Sequence, residues 1–318
     1  MSRTSRTLSF RTTATLAIAS SLLVSGIGGA SLAQAEPLSP VASLGSLDLG
    51  ALDLGSAQHT VDAPRLVGID NFRDVAGTGA GYSGSFGLHV NKGVFYRANA
   101  IRPKGDDMAD IEKLGLTKVY DLRTAPEISA KPDVLPDGVA YEKVSILDED
   151  VAGPGPSIEA ALDLIKSPDD ARKLMQDMNR GFVTGTKERA GFNRLLTAFA
   201  ETDGSQVFHC TSGKDRTGWA AMLLLSIAGV DRTTIMNDYL LTNEYSAESI
   251  KATVSYISST ISPESAANIE PLLGVEANFL EAGLTQVEQS YGTVDRYLTD
   301  GLGLSQSTIA ALKVKLLG

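Results

Sequence analysis

What this chain has little of narrows it quickly. Across 318 residues it carries one cysteine, Cys210, so a disulfide within the chain is excluded. Its three histidines, His59, His89 and His209, are too few and too scattered for a typical zinc site, and no metal or organic cofactor is implied. Basic residues are scarce: 28 Lys and Arg stand against 38 Asp and Glu, a net charge of −10. A surface this acidic repels a phosphate backbone, which argues against nucleic acid as a partner. Past the first 30 residues no apolar run is long enough to cross a bilayer. Any attraction for an anionic ligand therefore has to be local.

Acidic residues are missing altogether from the start of the chain. None precedes Glu36, whereas Arg3, Arg6 and Arg11 lead into a weakly apolar stretch from Ala14 to Ala30. Ala33-Gln34-Ala35 fits a small-x-small cleavage site, so residues 1–35 are expected to be a secretory signal peptide cut after Ala35. The alternative is an uncleaved anchor, which the glycines and serines serve poorly. Residues 36–62 read as a flexible linker, in which Leu47-Asp48-Leu49-Gly50 is echoed by Leu52-Asp53-Leu54-Gly55. Two copies are too few to build a solenoid. Residues 63–318 read as one globular domain, exported and without a transmembrane segment.

Within that domain the apolar pattern switches between short strands and helical stripes. Leu66-Val67-Gly68-Ile69 reads as a short strand or a lead-in to Asn71-Phe72-Arg73-Asp74, whose polar groups suit a structural turn network. Gly93–Arg97 is expected to be a strand. Met108, Ile111 and Leu114 mark one side of a helix stopped by Gly115, and Val119–Arg123 is a strand entering a turn near Pro126. Val139–Ile146 forms another strand, ending in the acidic tip Asp148-Glu149-Asp150. Residues 157–185 are helical but broken at Ser167-Pro168. Phe192, Leu195, Leu196 and Phe199 occupy i, i+3, i+4 and i+7, an amphipathic helix. The last third is mostly helical. One stripe runs through Ile250, Val254, Ile257 and Ile261 to Pro263, a second through Leu280, Leu284, Val287 and Tyr291, and a third through Ile309, Leu312 and Leu316. Strand–helix–strand order predicts an α/β layer arrangement.

The cysteine sits where these patterns meet. Gln206-Val207-Phe208 reads as the end of a buried strand, and Gly218 to Ala228 as a helix buried on most sides. Between them lies His209-Cys210-Thr211-Ser212-Gly213-Lys214-Asp215-Arg216-Thr217. A lone cysteine is ordinarily a small buried hydrophobe. At the mouth of a helix, with Lys214 and Arg216 close by, its thiol is instead expected to ionise near neutral pH. Five residues separate Cys210 from Arg216, which in one tight loop sets a guanidinium fork and a sulfur nucleophile on the same small oxyanion. Loop amides of residues 211–216 can cradle a phosphate while the sulfur attacks phosphorus. The leaving oxygen needs a proton, and a carboxylic acid can give it. Asp148 and Asp150 at the acidic tip and Asp215 in the loop are the candidates, although a solvated loop also explains the tip.

The string His-Cys-x-x-Gly-Lys-Asp-Arg-Thr-Gly at residues 209–218 resembles the cysteine-dependent protein tyrosine phosphatase superfamily, in particular a bacterial branch acting on phosphotyrosine, phosphoserine/threonine and phosphoinositides. Asn71-Phe72-Arg73-Asp74-Val75, Phe95-Tyr96-Arg97, Asp121-Leu122-Arg123 with Glu127, Pro136-Asp137-Gly138 and Val314–Gly318 resemble that branch in the same order, over roughly residues 65–318. The resemblance implies a tyrosine-phosphatase-like α/β fold: a central, mostly parallel sheet flanked by helices, with a helical lid in the C-terminal half, placed at 244–274. It implies hydrolysis of phosphate monoesters through a cysteinyl-phosphate on Cys210, with Arg216 and residues Thr211, Ser212, Gly213, Lys214 and Asp215 binding the phosphate. By its position after the strand, Asp148 matches the family's acid. Lys214 is implied to meet the extra phosphates of an inositol lipid. His209 and Thr217 are expected to support the loop and the sulfur. Two rivals remain: a rhodanese-like sulfurtransferase, which the Cys–Arg spacing disfavours, and a phosphate- or phosphoinositide-binding module without catalysis, which the intact Cys/Arg pair disfavours.

Overall fold

A computed structural model describes residues 62–148 and 158–318. The expected signal peptide, nearly all of the expected linker, and Asp150 lie outside the described residues. Among the described residues five strands form one sheet: β1 (Arg73–Asp74), β2 (Phe95–Ala98), β3 (Leu116–Asp121), β4 (Ala140–Lys143) and β5 (Ser205–His209). Their spatial order is β1-β2-β5-β3-β4. Only β1 runs antiparallel to its neighbour; β2, β5, β3 and β4 are mutually parallel. The mostly parallel α/β sheet expected from the sequence is therefore the fold, and β5 is its middle strand.

Period-two alternation along the strands explains why the sheet is buried on both faces. Phe95, Tyr120 and Phe208 point to one face and join the larger core, while Tyr96, Val119 and Val207 point to the other, against Phe72 and Ile111. The second face is covered by α1 (Asp107–Lys113). On the first face, α5 (Thr186–Glu201) lays down Phe192, Leu195, Leu196 and Phe199, all fully buried, as its spacing predicts. Phe199 touches Phe95, Tyr120 and Phe208, so this helix is keyed to three strands at once. Next to it α6 (Arg216–Ile227) is buried along almost its whole length, and its Trp219 packs on Phe182 and Tyr297.

The remaining helices are α2 (Ala125–Ala130), α3 (Ile158–Leu164), α4 (Pro168–Thr184), α7 (Arg232–Tyr245), α8 (Ala247–Thr260), α9 (Pro263–Leu273), α10 (Ala277–Tyr291), the single turn α11 (Val294–Arg296) and α12 (Gln306–Leu317). Their starts follow local chemistry. Ser167 caps α4 through Asp170 N, with Pro168 at its first position, and Asp231 caps α7 through the amides of Thr233 and Thr234.

Three local expectations change. Leu66–Ile69 makes no strand, because the amides of Val67 and Gly68 donate to the Asp107 carboxylate at 2.7 and 2.6 Å instead of to a neighbouring strand. Pro126 belongs to the helix α2 rather than to a turn; it sits in the first turn, where a missing N–H costs nothing. α8 does stop short of Pro263, at Thr260, but Pro263 also opens α9 behind a Ser262 cap, and the last residue of the stripe, Ile261, is left 46% exposed. Within 244–274, α8 and α9 form a helical pair in which Ile257 is fully buried and α9 rests on α4. Ile250 and Val254 line a groove of about 780 Å³ together with Pro168, Arg172, Pro271 and Val275.

Candidate active site

Because β2, β5, β3 and β4 are parallel, their carboxyl ends share one edge of the sheet, where open α/β folds gather ligand-binding groups. At this edge β5 ends at His209 and α6 starts at Arg216, so the cysteine loop spans strand end and helix start as its sequence implies. Every residue from His209 to Thr217 is buried. Asp215 stands at the helix's N-cap position but makes no capping bond to the helix, which leaves the first amides of α6 without a side-chain acceptor.

Gly213 shows why the loop needs that residue. Its φ of +69° lies in the left-handed region, and a Cβ there would come within 2.5 Å of the Ala98 carbonyl oxygen at the end of β2. The Gly213 carbonyl accepts hydrogen bonds from Asn71 Nδ2 at 2.7 Å and Arg97 Nη2 at 2.9 Å. In a trans peptide the next N–H points the opposite way, so the Lys214 amide is turned away from these two donors.

Arg216 is held by Glu127. The two side chains form a bidentate pair, Nη1–Oε2 at 2.9 Å and Nη2–Oε1 at 2.7 Å, and Nη1 also donates to the Leu122 carbonyl. Glu127 is fixed in turn by the backbone N–H and hydroxyl of Thr124, both at 2.9 Å, and by the Thr211 hydroxyl at 2.6 Å. Burial alone would raise this carboxyl, but the facing guanidinium and its hydrogen bonds outweigh that and lower it to about 2. The remaining donor edge of Arg216, at Nε, has no hydrogen-bond partner, and neither has the Thr217 hydroxyl. A buried guanidinium clamped on one edge and open on the other is a receptor for an oxyanion.

Lys214 and Asp215 turn toward each other, Nζ–Oδ1 3.0 Å, with the Lys214 ammonium 3.8 Å from the Met175 sulfur of α4. Burial raises the Asp215 carboxyl against the pull of Lys214. His209 sits behind the loop: Nδ1 lies 3.2 Å from the Cys210 carbonyl oxygen and Nε2 3.2 Å from Asp133 Oδ2. Burial works against its imidazolium, but the carboxylates of Asp121 and Asp133 prevail and raise its pKa. These three residues bring possible metal-ligand atoms within 4.8 Å of one another. Arg123, however, already bridges both carboxylates, at 2.6 and 2.7 Å, and a cation would have to displace it.

Asp148 falls beyond the carboxyl end of β4, on the same sheet edge as Cys210. It lines a cleft of about 530 Å³ with Lys143, Ser145, Lys187 and Arg194, and no residue of the cysteine loop lines that cleft. The structure thus brings together Cys210, Thr211, Arg216 and Thr217 and sets Asp148 to one side. Sequence reasoning missed what Glu127, Arg97 and Asp238 do. A trace of the first was present: Thr124-x-x-Glu127 is the pattern of a helix-capping box. Arg97 stands in the family-like string Phe95-Tyr96-Arg97, which says nothing of its partner, and Asp238 carries no local signal.

Residues 64–318 match the family model described as the tyrosine phosphatase family. The chain belongs to that family. It is 30% identical over 283 residues to the triple specificity protein phosphatase PtpB of Mycobacterium tuberculosis, covering 80% of this chain and 98% of that protein. It is 28% identical over 229 residues to a tyrosine-protein phosphatase of Nostoc commune, covering 66% of this chain and 69% of that one. The enzyme is a protein-tyrosine phosphatase, and the strand–loop–helix around Cys210 is its candidate active site. No helix among the described residues is long and apolar enough to cross a membrane.

Proposed function

We propose that this phosphatase is exported and hydrolyses phosphate monoesters through a cysteinyl-phosphate on Cys210. The observation that carries the mechanism is the Arg216 guanidinium, held by Glu127 on one edge and open at Nε, in the same buried loop as the only thiol. In the first step Cys210 Sγ bonds to phosphorus and the ester P–O bond breaks. Arg216 and the amides of residues 211–216 stabilise the equatorial oxygens. The Asp148 carboxyl gives its proton to the leaving oxygen. In the second, water attacks phosphorus, its proton returns to Asp148, and the S–P bond breaks with the Thr217 hydroxyl beside the departing sulfur. Asp148 is preferred to Asp215 because its position after β4 matches that of the acid in the resembling family.

Phosphotyrosine, phosphoserine/threonine and phosphoinositides all present the same monoester to this loop, and the name of the mycobacterial relative, triple specificity, supports that breadth. The helices of residues 244–274 are proposed as the cover of the site, and residues 1–35 as the export signal. Cys210→Ser is the decisive variant. It is expected to abolish phosphate release from an aryl phosphate while keeping affinity for a phosphate analogue. Turnover near that of the wild type overturns the mechanism. Asp148→Asn is expected to slow an aryl phosphate with a poor leaving group about 100-fold and one with a good leaving group far less. Equal losses on both would remove Asp148 as the donor.

A further inference from the structure

The cations of the loop are nearly all spoken for. Arg216 is paired with Glu127, Lys214 with Asp215, and Arg123 together with His209 faces Asp121 and Asp133. The side chains of each group are buried, and in each every arginine or lysine has at least one carboxyl group of its own. The β2 side of the loop is different. There Arg73 from β1 and Arg97 from β2 share a single carboxylate, Asp238 of α7, at 3.1 and 2.9 Å. All three side chains are buried, and Arg97 is fully so. The tyrosines facing them add no charge: burial pushes Tyr82 and Tyr239 up, away from ionisation, and the Tyr239 hydroxyl has no partner. A proton on Asp215, which burial favours, would only enlarge the positive surplus.

Arg73 and Arg97 thus share one carboxylate, and the other carboxyl group that feels Arg97, Asp215, is paired with Lys214. Two buried guanidiniums on one anion are costly unless something nearby ionises to meet them. Arg97 is the cation concerned. One of its Nη atoms goes to Asp238, the other to the neutral Gly213 carbonyl, and its Nε has no partner. Arg97 pairs in register with Phe208 of β5, so Cys210, two residues further along, follows on the face of the sheet that Arg97 occupies, and Arg97 Nη2 already bonds the loop at Gly213. Arg216, by contrast, has its own carboxylate. Burial and the neighbouring Arg73 push Arg97 down to about 10, with Asp238 and Cys210 opposing, so it remains charged at neutral pH.

We propose that Arg97 is a positioning residue of the phosphatase reaction: it is the counter-ion that holds Cys210 as a thiolate, while its bond to the Gly213 carbonyl aims the loop. This rests on Cys210 being the nucleophile. The electrostatic role and the oxyanion role are thereby divided between two arginines. Arg97 charges the sulfur before substrate arrives, and Arg216 receives the phosphoryl oxygens.

Because Cys210 is the only cysteine, its ionisation can be read from ultraviolet thiolate absorbance against pH. Each variant is compared with the same variant carrying Cys210→Ser. Arg97→Met is expected to move the midpoint up by about one to two pH units, the usual effect of removing a close opposite charge. Asp238→Asn, which frees both guanidiniums, is expected to move it down. The double variant Glu127→Gln/Arg216→Met removes a balanced pair and is expected to leave the midpoint near its original place while lowering turnover. A folded Arg97→Met protein with an unmoved midpoint overturns the proposal, as does a double variant that shifts as far as Arg97→Met. If Arg97→Met does not fold, Asp238→Asn decides: a downward shift supports the assignment and an unmoved or raised midpoint overturns it. Failure of the nucleophile reading itself is distinguishable, since Cys210→Ser would then retain turnover.

Discussion

On the β3 side of the cysteine loop, Arg216 meets Glu127 and Arg123 meets Asp121 and Asp133, with His209 beside them, so each guanidinium has a carboxylate of its own. On the β2 side, Arg73 and Arg97 meet Asp238 alone. Both sides are buried, both hold the loop by hydrogen bonds, and both lie at the ends of strands that flank β5. Their difference in charge balance separates two tasks a phosphatase loop must perform. A closed ion pair fixes geometry and alters the potential nearby far less than a lone charge does. An incomplete one leaves a field, and in the proposal above that field acts on the sulfur.

The sharpest way to break the comparison is on the balanced side. Glu127→Gln removes the carboxylate that fixes Arg216, and kcat is expected to fall about 100-fold, as when one transition-state donor is misplaced. The same variant has a stability readout. Glu127 is lowered to about 2 in the folded state from an ordinary 4.5, so its stabilisation is present above the unfolded value and is lost as pH falls toward 2. Thermal melts of the wild type should therefore lose on the order of 3 kcal/mol across that window, and those of Glu127→Gln much less.

A smaller effect is expected at Asn71, which adopts a left-handed φ of 60° and reaches Gly213 from the β2 side. Asn71→Ala leaves Arg97 to hold the Gly213 carbonyl, and kcat/KM should drop about tenfold, the worth of one buried hydrogen bond. A loss as large as that of Glu127→Gln would place the Asn71 contact on a par with the balanced side. The smallest effect belongs to His209. Its pKa is raised in the folded protein, so the stability it contributes is full below its ordinary 6.5 and fades as pH rises through the folded value. Melting temperatures of the wild type should decline on that alkaline limb, and those of His209→Gln should not.

Much of this molecule could be read along the chain. The Phe192–Phe199 stripe gives a helix with all four residues buried, and the uniformly apolar run after Arg216 gives the most enclosed helix of the fold. The strand before Cys210 and the helix after it fix the kind of loop between them. The six short strings that resemble the family occur in its order, and the family match covers them. What could not be read was partnership. Thr124-x-x-Glu127 announces a helix start, but nothing in it says that Glu127 will meet an arginine 89 positions later. Arg97 and Asp238 are 141 positions apart, and neither the strand string that holds the one nor the helix that holds the other says that they will pair. Asn71 reads as part of a turn network, and it does bond within its own string through Arg73, but its amide crosses to Gly213.

The sequence by itself determined the mostly parallel α/β class, the strand-to-helix site of the lone cysteine and the family, because periodicity and motif spacing are properties of neighbouring residues. Only the tertiary structure decided which cation faces which anion, since each pairing joins residues from different elements whose distance along the chain carries no information. The charge left over on the β2 side is such a quantity: it exists only after every other pair has been closed.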